Sequence, residues 1–225
     1  MTHSERTRIK ICGLTRPQDV ASAVQAGVDA IGFVMYAQSP RHVSIQTAAE
    51  LVKGLPAHVT PVLLFVNETL EGVQRACQAV PGAILQFHGD ETPQDCQSIA
   101  LACARPYWRA ARIPPQAQEA FDLVKFAHDY SNAQAILLDA HVQGYGGGGK
   151  TFNWSQLPLF VNAHLVLSGG LTPANVIEGI AQVRPRALSL AVDVSSGVEM
   201  DGQKGLKDPR KIQAFVQAVR SADAH

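Results

Sequence analysis

The chain has 225 residues, 46% of them hydrophobic and 17% charged, with nineteen Lys and Arg against nineteen Asp and Glu. That much apolar material excludes global disorder, and zero formal net charge argues against a protein that binds nucleic acid by neutralising phosphates. The apolar runs Ile31 to Ala37 and Val59 to Val66 are too short for a membrane span, and Pro61 interrupts the second. Met1 to Lys10 is polar and has no apolar signal-peptide region, so a cytoplasmic protein without membrane or nucleic-acid partners is expected.

In chain order, short aliphatic runs alternate with helix-like segments. The predicted strands are Arg8 to Cys12, Ala30 to Val34, Thr60 to Phe65, Ala83 to Phe87, Tyr107 to Ala111, Ala135 to Leu138, His164 to Leu167 and Ala187 to Leu190. Their spacing of about 25 residues is the length of a βα unit with tight loops. Thr15 and Gln18 read as a capping box with Pro17 in the first turn, and Thr92-Pro93, Thr172-Pro173 and Asp208-Pro209 read as further helix starts. The crossover from Asn153 to Asn162 is short and poorly patterned. Eight such units predict an α/β fold, a single (β/α)8 TIM barrel over residues 1–225 with its core from about 8 to 220. A flavodoxin-like or Rossmann sheet is the alternative, but Gly13-Leu14-Thr15 lacks the G-x-G-x-x-G turn.

The four cysteines, Cys12, Cys77, Cys96 and Cys103, include no C-x-x-C pair, so a structural zinc site is not expected. Cys96 and Cys103 fall on one predicted helix roughly 10 Å apart along its axis, too far for a disulfide. Free thiols are expected throughout, with Cys77, Cys96 and Cys103 as core residues.

In a barrel, reactive groups gather where strands end. Those points hold Cys12-Gly13, Ser39-Pro40-Arg41, Gln86-Phe87-His88-Gly89, Arg112, Leu138-Asp139-Ala140 followed by Gly146 to Lys150, Ser168 to Leu171, and Asp193 to Glu199. The glycines after the last three strands suit an anion held by backbone N–H groups, although Ser168-Gly169-Gly170 also reads as a plain tight turn. A thiol becomes a base once a cation or a helix N-terminus lowers its pKa, and a buried carboxylic acid can donate a proton. Cys12 and Asp139 therefore form a candidate base and acid; the alternatives are a buried small hydrophobe and a loop cap. Arg41 suits a carboxylate or phosphate, or is a solvated loop arginine. Gln86 and His88 suit orientation of a ligand or of neighbouring side chains, and a satisfied structural hydrogen bond is the other reading of each. Tyr145 and Phe152 flank the glycine loop, where packing on a ligand or ordinary core packing are both open.

Taken together and in order, these segments resemble the phosphoribosylanthranilate isomerase family. They run from Lys10-Ile11-Cys12-Gly13-Leu14-Thr15 through Ser168-Gly169-Gly170-Leu171 to Asp193-Val194-Ser195-Ser196-Gly197-Val198-Glu199 and Gly205 to Ile212, and the likeness spans Lys10 to Phe215. The resemblance implies an isomerase of tryptophan biosynthesis. Such an enzyme performs an Amadori rearrangement of N-(5-phosphoribosyl)anthranilate to 1-(2-carboxyphenylamino)-1-deoxyribulose 5-phosphate without cofactor or metal. It implies Cys12 as general base, Asp139 as general acid and Arg41 on the anthranilate carboxylate. Gly147, Gly148, Gly149, Gly170, Ser195, Ser196 and Gly197 match the phosphate cradle, and Gln86 and His88 fall among the substrate-facing residues. The chain departs from the family pattern at Gly148 (often Thr or Ser), Phe87 (usually Leu) and Asn153 (commonly Asp). The competing readings are a non-catalytic phosphosugar-binding regulatory barrel, which would be expected to lack Cys12 or Asp139, and another phosphosugar isomerase barrel. The expected partner is the small-molecule substrate, and the expected state a monomer or homodimer.

Overall fold

The computed structural model describes residues 6–114, 121–140 and 151–224. The strands are β1 (Arg8–Cys12), β2 (Ala30–Val34), β3 (Thr60–Phe65), β4 (Ile84–Phe87), β5 (Tyr107–Ile113), β6 (Ala135–Ala140), β7 (His164–Leu167) and β8 (Ser189–Val194). Each pairs in parallel with the next, and β8 pairs with β1, so the sheet is a closed barrel and not the open sheet held as the alternative. Around it lie α1 (Pro17–Ala26), α2 (Ile45–Val52), α3 (Leu70–Ala79), α4 (Pro93–Cys103), α5 (Leu123–Asp129), α6 (Val176–Val183) and α7 (Pro209–Asp223).

The period-two geometry of each strand divides its side chains between two layers. Ile9 and Ile11 of β1 join Phe33, Phe65, Leu85 and Val192 in the main core. The alternate residues Lys10 and Cys12 take the other face. Cys12 packs with Val34, Leu64 and Val66 near the C-terminal ends of the strands. Lower down, Ala110, Ala135, Leu137 and Val166 fill the interior. Small side chains such as Ala30, Ala135 and Ala191 help leave a 670 Å³ cavity at the N-terminal mouth, rimmed by Arg8, Trp108 and His164. That mouth is the one remote from barrel chemistry.

Local signals were read with mixed success. Thr92 and Asp95 form a full capping box on α4, with Thr92 Oγ1 accepting from the Asp95 amide at 3.2 Å and Asp95 Oδ2 from the Thr92 amide at 3.0 Å. Asp208 caps α7 as expected. Thr15 does not cap α1: its hydroxyl donates to the Gly205 carbonyl, 2.9 Å away, and Arg16 takes the N-cap position without a side-chain capping bond. A tertiary acceptor has outcompeted the local amide. Thr172-Pro173 opens a turn rather than a helix. Asn175 accepts from the Thr172 amide and donates to the Gly170 carbonyl, and α6 begins only at Val176. Among the described residues the sixth crossover holds only a 3-10 turn, Trp154–Gln156. Trp154 fills that gap against Gly179, where a Cβ would lie 3.3 Å from the indole.

Three strands run on past their predicted ends. β5 reaches Ile113, β6 reaches Ala140, and β8 is displaced to Ser189–Val194 from the expected Ala187 to Leu190. Each extension contains a charged residue, Arg112, Asp139 or Asp193, which reads locally as loop. All four cysteines are free thiols. Cys77 and Cys96 are buried, whereas Cys103 is half-buried at the end of α4 rather than a core residue. Cys103 is close enough to share a hydrogen bond with Cys77, and burial and then that neighbour push the Cys77 thiol up to about 12.

Candidate active site

Cys12, the last residue of β1, is only 5% exposed. Beneath it, Lys10 Nζ lies 2.8 Å from Asp193 Oδ2 of β8, both side chains being buried. Burial raises the Cys12 pKa, the charge and hydrogen bond of Lys10 lower it, and Asp193 raises it again. The balance lies above the ordinary thiol value, so the free protein does not lower the Cys12 pKa as the sequence suggested. Removal of water outweighs the nearby cation.

Around the barrel from Cys12, three side chains form a line. Asp139 Oδ2 lies 3.0 Å from His88 Nε2, and His88 Nδ1 lies 3.1 Å from Gln86 Nε2, all of them buried. With the Gln86 amide donating to Nδ1, the ring proton sits on Nε2 and is given to Asp139. Turning the amide would let its oxygen accept from Nδ1–H, and Nε2 would then accept a proton from Asp139. Arg109 of β5 holds the backbone on either side of His88, donating to the carbonyls of Phe87 and Gly89 at 3.0 and 3.1 Å. Gly169, at φ +76°, lets the loop after β7 lie directly over the acid. A Cβ there would be 2.5 Å from the Ala140 amide and 2.9 Å from Asp139 Oδ1.

Arg41 is already engaged within the chain. Its Nε and Nη2 donate to the two carboxylate oxygens of Glu199 at 2.7 and 2.9 Å, and Nη1 has no hydrogen-bond partner among the described residues. Glu199 Oε1 also accepts from Lys207 Nζ at 3.1 Å and the Gly205 amide at 3.0 Å. Burial alone would raise the Glu199 pKa, but these donors and charges hold it below the usual carboxylate range. Gly13 has φ +73°, and a Cβ there would meet Arg41 Cδ at 2.6 Å and Ser195 Oγ at 3.1 Å. The end of β1, Arg41 and the start of the β8 loop therefore converge on one spot.

Gly170 (φ +65°) belongs to the loop after β7, and Ser196–Val198 forms a 3-10 turn after β8. The two loops touch, since a Cβ on Gly197 would fall 1.9 Å from the Leu171 carbonyl oxygen. The amides of Gly170, Ser196 and Gly197 meet no acceptor among the described residues. Lys207 Nζ donates to the Ser195 carbonyl and hydroxyl at 3.0 and 3.2 Å, fixing the turn from below. Gly147, Gly148, Gly149 and Tyr145 lie outside the described residues. Phe152 is a core residue. Phe87 is buried and tilted against Tyr107, and Asn153 caps the 3-10 turn by accepting from the Ser155 amide.

The barrel thus gathers Cys12, Arg41 and the Ser195–Gly197 turn on one side of its mouth, and Gln86, His88, Asp139 and Gly169 on another. Lys10, Asp193, Glu199 and Lys207 lie in segments that the sequence reading names without giving them a role, and Arg109 lies in a predicted strand. The only local sign was the pairing of Lys10 and Cys12 at i and i+2, hence on one strand face.

Residues 9–218 match the family model described as N-(5'-phosphoribosyl)anthranilate (PRA) isomerase. A relative from Leptothrix cholodnii named N-(5'-phosphoribosyl)anthranilate isomerase is 59% identical over 97% of this chain and 93% of its own. One of the same name from Methylibium petroleiphilum is 57% identical over 97% and 96%. The crystal structure of phosphoribosyl anthranilate isomerase from Thermotoga maritima superposes with a TM-score of 0.79 at 35% identity, covering 96% of this chain and 99% of that one. Another phosphoribosyl anthranilate isomerase structure, in complex with reduced 1-(o-carboxyphenylamino)-1-deoxyribulose 5-phosphate, superposes with a TM-score of 0.77 at 32% identity, with the same coverage. On these matches and the closed barrel, the chain belongs to the phosphoribosylanthranilate isomerase family.

Proposed function

We infer that this barrel isomerises N-(5-phosphoribosyl)anthranilate to 1-(2-carboxyphenylamino)-1-deoxyribulose 5-phosphate in tryptophan biosynthesis. The observation that carries the reading is the joint presence of Cys12 and the His88-bound Asp139 at the mouth of a closed barrel of this family. In this reading Asp139 gives its proton to the furanose ring oxygen as the C1–O bond breaks, leaving an iminium between C1 and the anthranilate nitrogen. The iminium acidifies the C2 proton, which Cys12 removes, and the electron pair moves to form the enolamine. Loss of the C2 hydroxyl proton and protonation at C1 complete the ketone. The iminium is the electron sink, so the steps need no redox cofactor.

The electrostatics support this order of events. The Cys12 thiol stays protonated when the site is empty, and the substrate's own cation, formed after ring opening, favours loss of that proton to water, which leaves the thiolate that takes the C2 proton. Arg41 Nη1 is assigned to the anthranilate carboxylate, and the amides of Gly170, Ser196 and Gly197 to the phosphate, in an anion site built from backbone donors. Gln86 and His88 are assigned to holding Asp139 and setting where its proton resides. We further assign the free thiols to a reducing cytoplasm. Among the described residues no helix is long and apolar enough to cross a membrane.

The test couples anthranilate and phosphoribosyl pyrophosphate through a transferase and follows the loss of substrate fluorescence on adding the purified protein. Cys12→Ser should lower turnover by at least about a hundredfold with little change in substrate affinity. Substrate that persists with the unaltered protein, or a serine variant of near-normal turnover, would contradict the reading.

A further inference from the structure

Two buried lysines stand near Cys12, and their surroundings differ. Lys207 is enclosed by acceptors, the Ser195 carbonyl and hydroxyl and Glu199 Oε1. Three donated bonds use every proton of its ammonium. Among the described residues Lys10 has one oxygen partner, Asp193 Oδ2 at 2.8 Å, and the other group it acts on is the Cys12 sulfur, by its charge and as a donor. The backbone of β2 shows how closely the two groups approach. A Cβ on Gly32 would lie 2.7 Å from Cys12 Sγ, 3.0 Å from Lys10 Cε and 3.1 Å from Lys10 Nζ. Sulfur and ammonium therefore share the bare face of one glycine, and any larger residue would press on both.

We propose that Lys10 is a positioning residue for proton abstraction: clamped by Asp193 in the barrel interior, its ammonium faces the Cys12 sulfur and stabilises the thiolate as it forms. The proposal rests on Cys12 being the base. An isolated thiolate at this depth would pay the full cost of desolvation, and the neighbours from β2 and β3, Val34 and Leu64, offer it nothing polar. The charged groups acting on it are Lys10, Asp193 and Lys207. Asp193 orients Lys10 but opposes the thiolate by its charge, and its Oδ1 is buried without a hydrogen-bond partner among the described residues. The pair thus places a directed N–H donor beside the sulfur while leaving the thiol protonated until a second positive charge, that of the substrate iminium, arrives.

The test reads Cys12 itself. Iodoacetamide labelling is followed against pH by mass spectrometry of the Cys12 peptide, with the Cys103 peptide as internal reference, alongside kcat and KM. Lys10→Met should move the Cys12 labelling profile upward by about one pH unit, slowing labelling at fixed pH about tenfold, with Cys103 unmoved. The kcat should fall by about a hundredfold while KM stays within a few-fold. Because Lys10→Met strands Asp193, the double variant Lys10→Met/Asp193→Leu removes both charges, an exchange that folded proteins tolerate well. Gly32→Ala keeps the ion pair and presses a methyl against both Sγ and Nζ, forcing one or both to shift. Both should shift the profile in the same direction. An unchanged Cys12 profile in the folded double variant overturns the proposal. A shifted profile with full turnover overturns Cys12 as the base instead, and with it any catalytic effect of Lys10.

Discussion

Arg41 and Glu199, 158 positions apart in sequence, meet as a bidentate pair with N–O distances of 2.7 and 2.9 Å, and both side chains are buried. The pair ties the loop after β2 to the segment after β8. Lys207 and the Gly205 amide complete the carboxylate's shell. Glu199→Gln would leave two buried cations without their counter-charge, which costs about 3–5 kcal/mol in comparable buried pairs. The expected result is a lower urea midpoint with an unchanged slope, together with a raised KM as Arg41 loses its fixed direction. An unaltered midpoint would mean that the pair adds nothing to stability.

The same carboxylate predicts a pH effect. The Glu199 pKa is lower in the folded chain than in the unfolded one, so its contribution is present above the unfolded value of about 4.3 and lost as pH falls through the folded value. Stability should therefore drop below about pH 4.3 more steeply in the parent than in Glu199→Gln. Denaturant titrations at a series of acidic pH values check this, and parallel curves for the two proteins would count against it.

Asp139→Asn keeps the shape of the acid but removes its proton. Turnover should fall by roughly three to four orders of magnitude, about 4 to 5 kcal/mol of barrier, while product affinity survives. His88→Asn, which takes away the ring 3.0 Å from Asp139, should lower kcat and move its pH profile more than it changes KM. An Asp139→Asn variant turning over within tenfold of the parent would sink the acid role.

Gly170→Val forces a β-branched residue to φ +65° in the turn where free amides gather. Inorganic phosphate and sulfate should compete weakly with substrate in the parent and cease to do so in the folded variant. Retained competition would place the anion elsewhere.

Among the outer cysteines, labelling at pH 8 should reach half-buried Cys103 before Cys77 or Cys96, whose thiols are each pushed up to about 12, chiefly by burial. Peptide mapping after timed alkylation gives the order, and rapid modification of Cys96 in the folded protein would contradict it.

The alternation of apolar runs with helix-like segments already specifies the barrel, because every strand carries a local excess of apolar residues and the βα spacing leaves little choice of connection. The ordered motifs around Cys12, Asp139 and Ser168 to Leu171 likewise identify the family from the chain alone, a reading the family match over residues 9–218 bears out. Strand ends were misjudged where a charge belongs to the interior. Asp193 looks like a loop residue until Lys10, 183 positions away, is seen to neutralise it. Thr15 looks like a cap until Gly205 supplies a better acceptor. The pairing of Arg41 with Glu199, the line from Gln86 through His88 to Asp139, and the glycine faces that admit Cys12 Sγ and Asp139 Oδ1 share one property. Each joins groups on different strands or loops, so its energy depends on a distance that only the closed barrel sets. Local propensity is written residue by residue, whereas hydrogen-bond partners and desolvation belong to pairs brought together by the fold.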